Sequence, residues 1–286
     1  MESQLIFQEK KEIKRLRVQN SLLASYEAPV FEKITSQGRD MVVLDIGSND
    51  GSKTVERFSS KAISCVVGLE YNPDLAKKAQ KTYGDHRFSF YPFDVEGRDF
   101  AKRLQELMKE KKIKGFDIIY LSFVLMHLKD IEGLLCELRS FLNENGKLFI
   151  IEANDSTSTL SNDENNLLNE FLDILKKDKY SGNRAIGDCI CERLEQCGYE
   201  DICVWHDFIS AKDGEKEKKK AIFTTFFSYL PEDVMLLSEG EPHNQEYKNW
   251  VIWIDKNYKK LKNLIVQEKG DISMGIKILT CGKGGK

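Results

Sequence analysis

Five short apolar runs that alternate with four helix-like stretches are the feature of this sequence that most restricts its fold. Helical patterns occupy roughly 51–60, 73–83, 97–112 and 130–143. Several of the runs are apolar at consecutive positions, which is typical of parallel strands that helices cover on both faces. The alternation therefore predicts right-handed βαβ units and an α/β fold with a doubly wound, mostly parallel sheet. The runs are "MVVLDI" (41–46), "SCVVGLE" (64–70), "RFSFYPF" (87–93), "FDIIYLS" (116–122) and "GKLFIIE" (146–152).

Two further strands complete a predicted sheet of seven. One follows a helix that ends at Gly198, and the other is "DISMGIKILTC" near the C-terminus. Three helical segments interrupt the core, and the first of them is expected to end as a helix near Pro29. Over the carboxyl edge of the sheet they would form a lid that excludes water and shapes a small binding pocket. The predicted core is 39–153, 185–210 and 271–286, and the predicted lid segments are 1–38, 154–184 and 211–270.

Charge and cysteine content exclude several classes of function. The chain has 286 residues and a formal net charge of -3, so no overall positive field attracts it to nucleic acid or an anionic membrane. No apolar run has the length of a membrane span, and the charged N-terminus argues against a secretory signal peptide. Seven cysteines without a Cys-x-x-Cys pair, beside four histidines, indicate reduced thiols rather than a metal site. We expect a cytoplasmic protein with no metal, and its oligomeric state is not indicated.

The first strand ends in a glycine-punctuated turn, "VLDIGSNDG" (43–51). Gly47 permits a positive φ, and Asn49 is among the few other residues that tolerate it. A ligand in an open α/β sheet binds beyond the carboxyl ends of the strands. The glycine spacing differs from the Gly-x-Gly-x-x-Gly of dinucleotide sites, and Asp45 and Asp50 are unfavourable for a pyrophosphate. An acid in this turn suits a ligand that carries a positive group.

This turn resembles motif I of the class I S-adenosylmethionine-dependent methyltransferases, which is usually Asp-x-Gly-x-Gly-x-Gly. Asp45, Gly47 and Gly51 match the motif, while Asn49 replaces its middle glycine. Glu70 follows Gly51 by nineteen residues at the end of the second strand, as an acid does in that family. The resemblance implies a Rossmann-like, seven-stranded sheet of order 3-2-1-4-5-7-6 with an antiparallel last strand, and S-adenosyl-L-methionine as the cofactor.

The resemblance also implies roles for single residues. Glu70 would accept the ribose hydroxyls, Tyr71 would lie along the adenine, and Asp94 with Val95 would bind the adenine ring. Structural alternatives stay open, because Glu70 could be an exposed strand end, Tyr71 a packed aromatic and Asp94 a helix N-cap. The predicted cofactor-binding set is Tyr26, Asp45, Gly47, Ser48, Asn49, Gly51, Glu70, Tyr71, Asp94, Val95, Ser122 and Phe123.

The methyl acceptor is less constrained by sequence, since methyl transfer depends mainly on alignment of the reactants. After the fourth strand, "SFVLMH" (122–127) lacks the Asn/Asp-Pro-Pro-Tyr/Phe turn of methyltransferases that act on nucleic-acid bases. We therefore predict transfer to O or N, with C as a further option, of a small-molecule acceptor. His127 is the candidate base, and the alternative of a local hydrogen-bonding residue at a helix start stays open. Tyr26 is the candidate aromatic from the N-terminal segment.

Alternative functions of the chain stay open. The acceptor could be a protein side chain or RNA, or the chain could be a non-catalytic module that binds S-adenosylmethionine. A nicotinamide dehydrogenase is disfavoured by the glycine spacing. Five residues are further candidates for the acceptor pocket, each with a structural explanation as well: Arg184, Trp205, His206, Trp250 and Trp253.

Overall fold

The computed structural model describes residues 10–36 and 38–285, so the parts of the predicted core and lid at 1–9, 37 and 286 lie outside the described residues. The chain forms two compact units. The sheet unit consists of Tyr26–Ala153, Ile186–His206 and the described residues from Lys277 onward. The helical unit consists of Asn154–Ala185, Asp207–Ile276 and the described residues up to Ser25.

The predicted doubly wound sheet is confirmed. Its strand order is β3-β2-β1-β4-β5-β8 with β7 paired to β8, and its antiparallel members lie at the end, which is the predicted order once β6 is set aside. The short β6 (Thr159–Leu160) is the addition, pairing antiparallel with the first residues of β8. The remaining strands are β1 (Met41–Ile46), β2 (Ile63–Glu70), β3 (Phe88–Pro92), β4 (Phe116–Ser122), β5 (Leu142–Ala153), β7 (Glu200–Ala211) and β8 (Ile272–Gly282).

The helices lie close to their predicted positions. Those between the strands of the core are α2 (Ser52–Arg57), α3 (Pro73–Tyr83), α4 (Phe100–Glu110), α5 (Ile131–Phe141) and α7 (Ile190–Gln196). In the part of the chain that the structure describes, no helix combines the length and the apolar character that a bilayer crossing requires. The other helices are α1 (Lys10–Thr35), α6 (Leu167–Lys177), α8 (Lys216–Phe227), α9 (Leu230–Gly240), α10 (Gln245–Trp253) and α11 (Lys259–Val266).

The prediction that the N-terminal helix ends near Pro29 is wrong. Helix α1 continues through Pro29 to Thr35. Proline removes one helical hydrogen bond, but the residues after it gain contacts that offset this loss. Val30 is fully buried, and the ring of Phe31 lies 4.9 Å from that of Phe149 between centroids. Tertiary packing therefore keeps the last turns of α1 helical.

The two faces of the sheet bury different side chains. One face carries a core in which aliphatic side chains predominate, exemplified by the fully buried Leu44 of β1, Leu104 of α4 and Leu135 of α5. The opposite face carries aromatic rings, with Tyr120 and Phe149 in edge-to-face contact at 5.2 Å. Asp45 lies on this second face, paired in register with Tyr120. The second face is thus where a polar site can form at the carboxyl edge.

A pair of carboxyl groups is buried inside the helical unit. Asp178, just after α6, accepts hydrogen bonds from the Ser181 hydroxyl at 2.6 Å and the Tyr180 backbone N–H at 3.0 Å. Its carboxyl also shares a hydrogen bond with that of Asp233 in α9, and both residues are less than 5% exposed. Burial raises the pKa of Asp233 to about 8, and the negative charge of Asp178 adds to the shift. The pair therefore retains a proton at neutral pH.

Cys136 in α5 and Cys197 at the end of α7 form a disulfide. The prediction that the thiols are reduced is wrong for this pair. The two residues stand 61 positions apart in the chain, and their Cα atoms lie 4.9 Å apart, within the range that a disulfide allows. The spacing in the sequence could not show this proximity, because it depends on the packing of α5 against α7. The described free cysteines are Cys65, Cys189, Cys191, Cys203 and Cys281.

Candidate active site

The turn after β1 has a backbone that few residues can adopt. Gly47, Asn49 and Gly51 have φ values of 77°, 50° and 78°. A Cβ on Gly47 would lie 2.6 Å from a methyl group of Val124, and one on Gly51 would lie 2.9 Å from the ring of Phe90. Both glycines are required by conformation and by space. Asn49 stands where the motif has its middle glycine, and asparagine is among the few other residues that tolerate the left-handed region.

Asp45 lies beneath this turn and is shielded from solvent. Its side chain is almost fully buried, and it accepts a hydrogen bond of 2.5 Å from the hydroxyl of Thr54 in α2. Burial raises the pKa of Asp45 to about 6, while the guanidinium of Arg57 and the Thr54 hydroxyl oppose the rise. The carboxyl group joins the end of β1 to the start of α2, and so fixes the glycine turn between them.

Glu70 lies at the mouth of the same turn. Its carboxylate accepts backbone hydrogen bonds from Asn49 at 2.8 Å and from Asn72 at 2.9 Å. Burial raises the pKa of Glu70, and these two hydrogen bonds to the ionised form oppose the rise. Tyr71, the next residue, exposes 60% of its surface, which is unusual for a tyrosine. A fixed carboxylate and an exposed aromatic ring therefore stand side by side at the edge of the sheet.

The loop after β3 contains Asp94 and Val95. Asp94 is exposed, and one of its oxygens accepts the backbone N–H of Glu96 at 3.0 Å, so it caps the loop locally. Glu96 in turn accepts the backbone N–H groups of Lys129 at 2.6 Å and Asp130 at 3.1 Å. Glu96 therefore joins the loop after β3 to the loop after β4. The sequence does not predict this role, because a lone exposed glutamate carries no signal of its partners.

The segment after β4 begins with an unusual backbone. Phe123 has a φ of 54°, a conformation that costs a bulky residue on the order of 1–3 kcal/mol. Its N–H donates to the carbonyl of Ile151 at 2.8 Å. Fully buried Glu152 of β5 accepts the next two backbone N–H groups, from Val124 at 2.9 Å and Leu125 at 2.7 Å. These contacts hold the segment in place despite its strain.

His127 ends the short 3-10 turn Leu125–His127 that follows. Its backbone N–H donates to the carbonyl of Val124 at 3.0 Å. The turn is anchored at its start by Glu152, so the position of His127 is defined by the end of β4. Its role as a base stays a prediction.

A buried network of charged groups lies under the site, and it was not predicted from the sequence. Glu27 of α1 accepts two hydrogen bonds of 2.8 Å from the guanidinium of Arg57. The hydroxyl of Tyr120 donates to the same carboxylate at 2.7 Å, and burial raises the pKa of Tyr120 well above its usual value. Lys53 of α2 extends past this group and donates to the hydroxyl of Ser122 at 3.2 Å. No sequence pattern signals such a network, because its members come from three separate elements, α1, α2 and β4.

The aromatic candidate Tyr26 precedes Glu27 in α1. Its ring packs edge-on against His206 of β7, with centroids 5.0 Å apart. The indole N–H of Trp205, on the same strand, donates to the hydroxyl of Thr280 at 3.0 Å. A cofactor contact of Tyr26 stays a prediction.

The other pocket candidates belong to the helical unit. Arg184 is almost fully buried, with a bidentate bond to Asp155 at 2.5 and 2.8 Å. Trp250 is buried, and the indole N–H of Trp253 donates to Glu170 at 2.6 Å. Among residues 10–36 and 38–285, no group of three or more His, Cys, Asp or Glu side chains is placed to hold a metal ion.

Comparison with known proteins gives one family. The family model described as a methyltransferase domain matches residues 19–204, more than half of the chain. The juvenile hormone acid O-methyltransferase of Bombyx mori is 27% identical over 111 residues, which are 38% of this chain and 37% of that protein. The match thus spans little more than a third of that curated relative.

Two solved structures have the same fold. The YcgJ protein of Bacillus subtilis has a TM-score of 0.53 and 14% identity, with 92% of this chain and 99% of that chain covered. Phosphoethanolamine N-methyltransferase 2 of Haemonchus contortus, in complex with S-adenosyl-L-methionine, has a TM-score of 0.51 and 14% identity. In that case 91% of this chain and 53% of the other are covered. At these identities the likeness shows the fold alone.

Proposed function

The chain belongs to the methyltransferase-domain family and uses S-adenosylmethionine, and from this premise we propose that it transfers the donor methyl group to O or N of a small-molecule acceptor, with C as a further option. The single observation that carries the assignment of the donor site is the position of Glu70. Its carboxylate is held by two backbone N–H groups at the mouth of the glycine turn.

In this proposal Glu70 accepts the two ribose hydroxyls of the donor. An ionised carboxylate has about four acceptor positions, so the bonds from Asn49 and Asn72 leave capacity for both hydroxyls. The exposed ring of Tyr71 would lie along the adenine, and Asp94 and Val95 would contact its edge. The methionine part of the donor would lie against the turn from Gly47 to Gly51, near the segment that follows β4.

The small-molecule acceptor is supported by two observations. The Bombyx mori relative, by its name, is an O-methyltransferase that acts on juvenile hormone acid. The chain has a net charge of -3 and lacks the proline-containing turn of the base-modifying enzymes, which disfavours nucleic acid. In this proposal His127 would serve as the base where the acceptor must lose a proton.

Calorimetric titration with S-adenosylmethionine, S-adenosylhomocysteine and NAD tests the donor site. We expect binding of the two sulfur nucleosides and none of NAD. Glu70→Gln should weaken both nucleosides at least tenfold, because hydrogen bonds to a charged acceptor are worth about 1.5–3 kcal/mol each. Glu56→Gln, an exposed position on α2, is the matched control. Unchanged affinity in Glu70→Gln would show that the ribose lies elsewhere.

Methyl transfer from isotope-labelled donor then tests the acceptor class. The purified protein would be incubated with fractionated cell extract, divided into small molecules, protein and RNA. Label recovered in the small-molecule fraction supports the proposal, while label confined to protein or RNA contradicts it.

A further inference from the structure

We propose that Lys53 binds the carboxylate of the methionine part of S-adenosylmethionine, an inference that rests on the proposed function. Lys53 is the second residue of α2, directly after the glycine turn. Its ammonium group reaches across to β4 and donates to the hydroxyl of Ser122 at 3.2 Å. Ser122 is the last residue of β4, so this contact lies at the carboxyl edge of the sheet. Ligands of open α/β sheets bind along that edge.

The surroundings of Lys53 place its charge next to the glycine turn. A Cβ on Gly47 would touch Val124, which shows how closely the turn approaches the segment after Ser122. The side chain of Lys53 is 19% exposed, so its stem is covered and part of it stays accessible to a ligand. A covered stem also limits how far the ammonium can move away from Ser122.

The charge of Lys53 is only partly matched by its neighbours. The nearest carboxylate is Glu27, at 3.5 Å from the ammonium. Glu27 already accepts two hydrogen bonds from the guanidinium of Arg57 and one from the hydroxyl of Tyr120. An ammonium group has three N–H donors, and in the described chain Lys53 uses one of them, toward the neutral hydroxyl of Ser122. Even with Glu27 counted as a second partner, one donor remains for an anionic group of a ligand.

The donor has such an anionic group in the right part of the molecule. Its methionine end carries an ammonium and a carboxylate, and a carboxylate that leaves water needs a charged or multiply hydrogen-bonded partner. A charge-assisted hydrogen bond from lysine contributes at least a tenfold gain in affinity. Lys53 would thus select ligands that retain the full amino-acid end over nucleosides that lack the carboxylate.

Two ligands that differ only in the carboxylate test this assignment. S-adenosylmethionine and its decarboxylated form share the nucleoside, the sulfonium and the amine. Calorimetry on Lys53→Met should show at least tenfold weaker binding of S-adenosylmethionine and less than a twofold change for the decarboxylated form. The matched control is Lys78→Met, which removes an exposed lysine 3.6 Å from Asp50 on the other side of the turn. It should leave both affinities unchanged.

The other outcomes overturn the assignment. An equal loss for both ligands in Lys53→Met would make Lys53 a purely structural residue, and no loss for either would exclude the contact. Lys53→Arg keeps the charge and should keep the preference for the carboxylated ligand, which also decides the matter if Lys53→Met fails to fold. Wild-type protein that binds neither ligand would instead overturn the proposed function, and the inference with it.

Discussion

Replacing Asp233 with asparagine should remove a large part of the pH dependence of stability. The Asp233 carboxyl in α9 is hydrogen-bonded to that of Asp178 inside the helical unit, and both groups are buried. Two carboxyl groups in contact cannot both ionise without strong repulsion, so one proton is retained. Asparagine has nearly the same shape and offers an N–H donor to Asp178 in place of the acidic proton. It therefore preserves the hydrogen bond and cannot ionise.

The size of the pH-dependent change in unfolding free energy follows from the pKa of Asp233, which burial raises from 3.8 to about 8. Because the folded-state pKa exceeds the unfolded value, the folded protein binds more protons between pH 4 and pH 8 than the unfolded chain does. The contribution of Asp233 to the free energy of unfolding is therefore fully present below about pH 4 and is lost as pH rises toward 8. At about 1.4 kcal/mol per pKa unit, the loss from pH 5 to pH 8 is about 4 kcal/mol.

Urea denaturation at pH 5, 6, 7 and 8 measures this loss. Trp250 and Trp253 provide a fluorescence signal within the helical unit. Asp233→Asn and the wild type should be similarly stable at pH 5, and the variant should be more stable by up to about 4 kcal/mol at pH 8. Glu239→Gln, an exposed position on the same helix, removes one negative charge as a control and should follow the wild type. If the free energies of unfolding of Asp233→Asn and of the wild type changed equally with pH, Asp233 would not retain a proton in the folded protein.

Two further changes test buried contacts in the sheet unit. Arg57→Met leaves the Glu27 carboxylate buried without its bidentate partner and should cost about 3–5 kcal/mol of unfolding free energy, which Arg57→Met combined with Glu27→Gln should largely restore. Equal stability of the single and double variants in urea would contradict this reasoning. Cys136→Ala opens a disulfide that spans 61 residues and should cost about 4 kcal/mol on chain-entropy grounds. In excess reductant, the wild type should have the same free energy of unfolding as that variant. If reductant left the stability of the wild type unchanged, the disulfide would not contribute to it.

The fold could be predicted because its signals are local. Strand β4 and helix α3 have the predicted bounds, since the first is a continuous apolar run and the second begins at Pro73 after a capping residue, Asn72. The left-handed conformation of Asn49 followed from residue chemistry alone. Glu70 could be singled out by its spacing from the glycine turn, and the structure places it against Asn49.

The missed features depend on contacts between distant parts of the chain. Helix α1 passes through Pro29 because Val30 is buried, a fact that no window around the proline contains. The Cys136–Cys197 disulfide depends on how α5 packs near the end of α7. The sequence marks each cysteine but gives no measure of the distance between them.

The candidate site also combines features with a local sequence signal and features that depend on distant contacts. Its glycines carry a motif, whereas the groups that orient the surrounding loops are single acidic residues with no motif. Glu96 accepts backbone N–H groups 33 and 34 residues downstream, and Glu152 accepts N–H groups 28 and 27 residues upstream. A lone glutamate in a loop or at a strand end is compatible with many environments, so only the folded geometry identifies these two as loop-fixing residues.

The Glu27 carboxylate also has a consequence for the order in which the protein folds. Its partner Arg57 is 30 residues away in the chain, whereas its partner Tyr120 is 93 residues away. Closing the longer loop costs about 1 kcal/mol more conformational entropy, so the pairing with Arg57 is expected to form first. A buried carboxylate tolerates few half-formed environments, so α1 would stay loosely attached until β4 delivers the tyrosine hydroxyl. The helix that leads the chain would then be among the last elements to become rigid during folding.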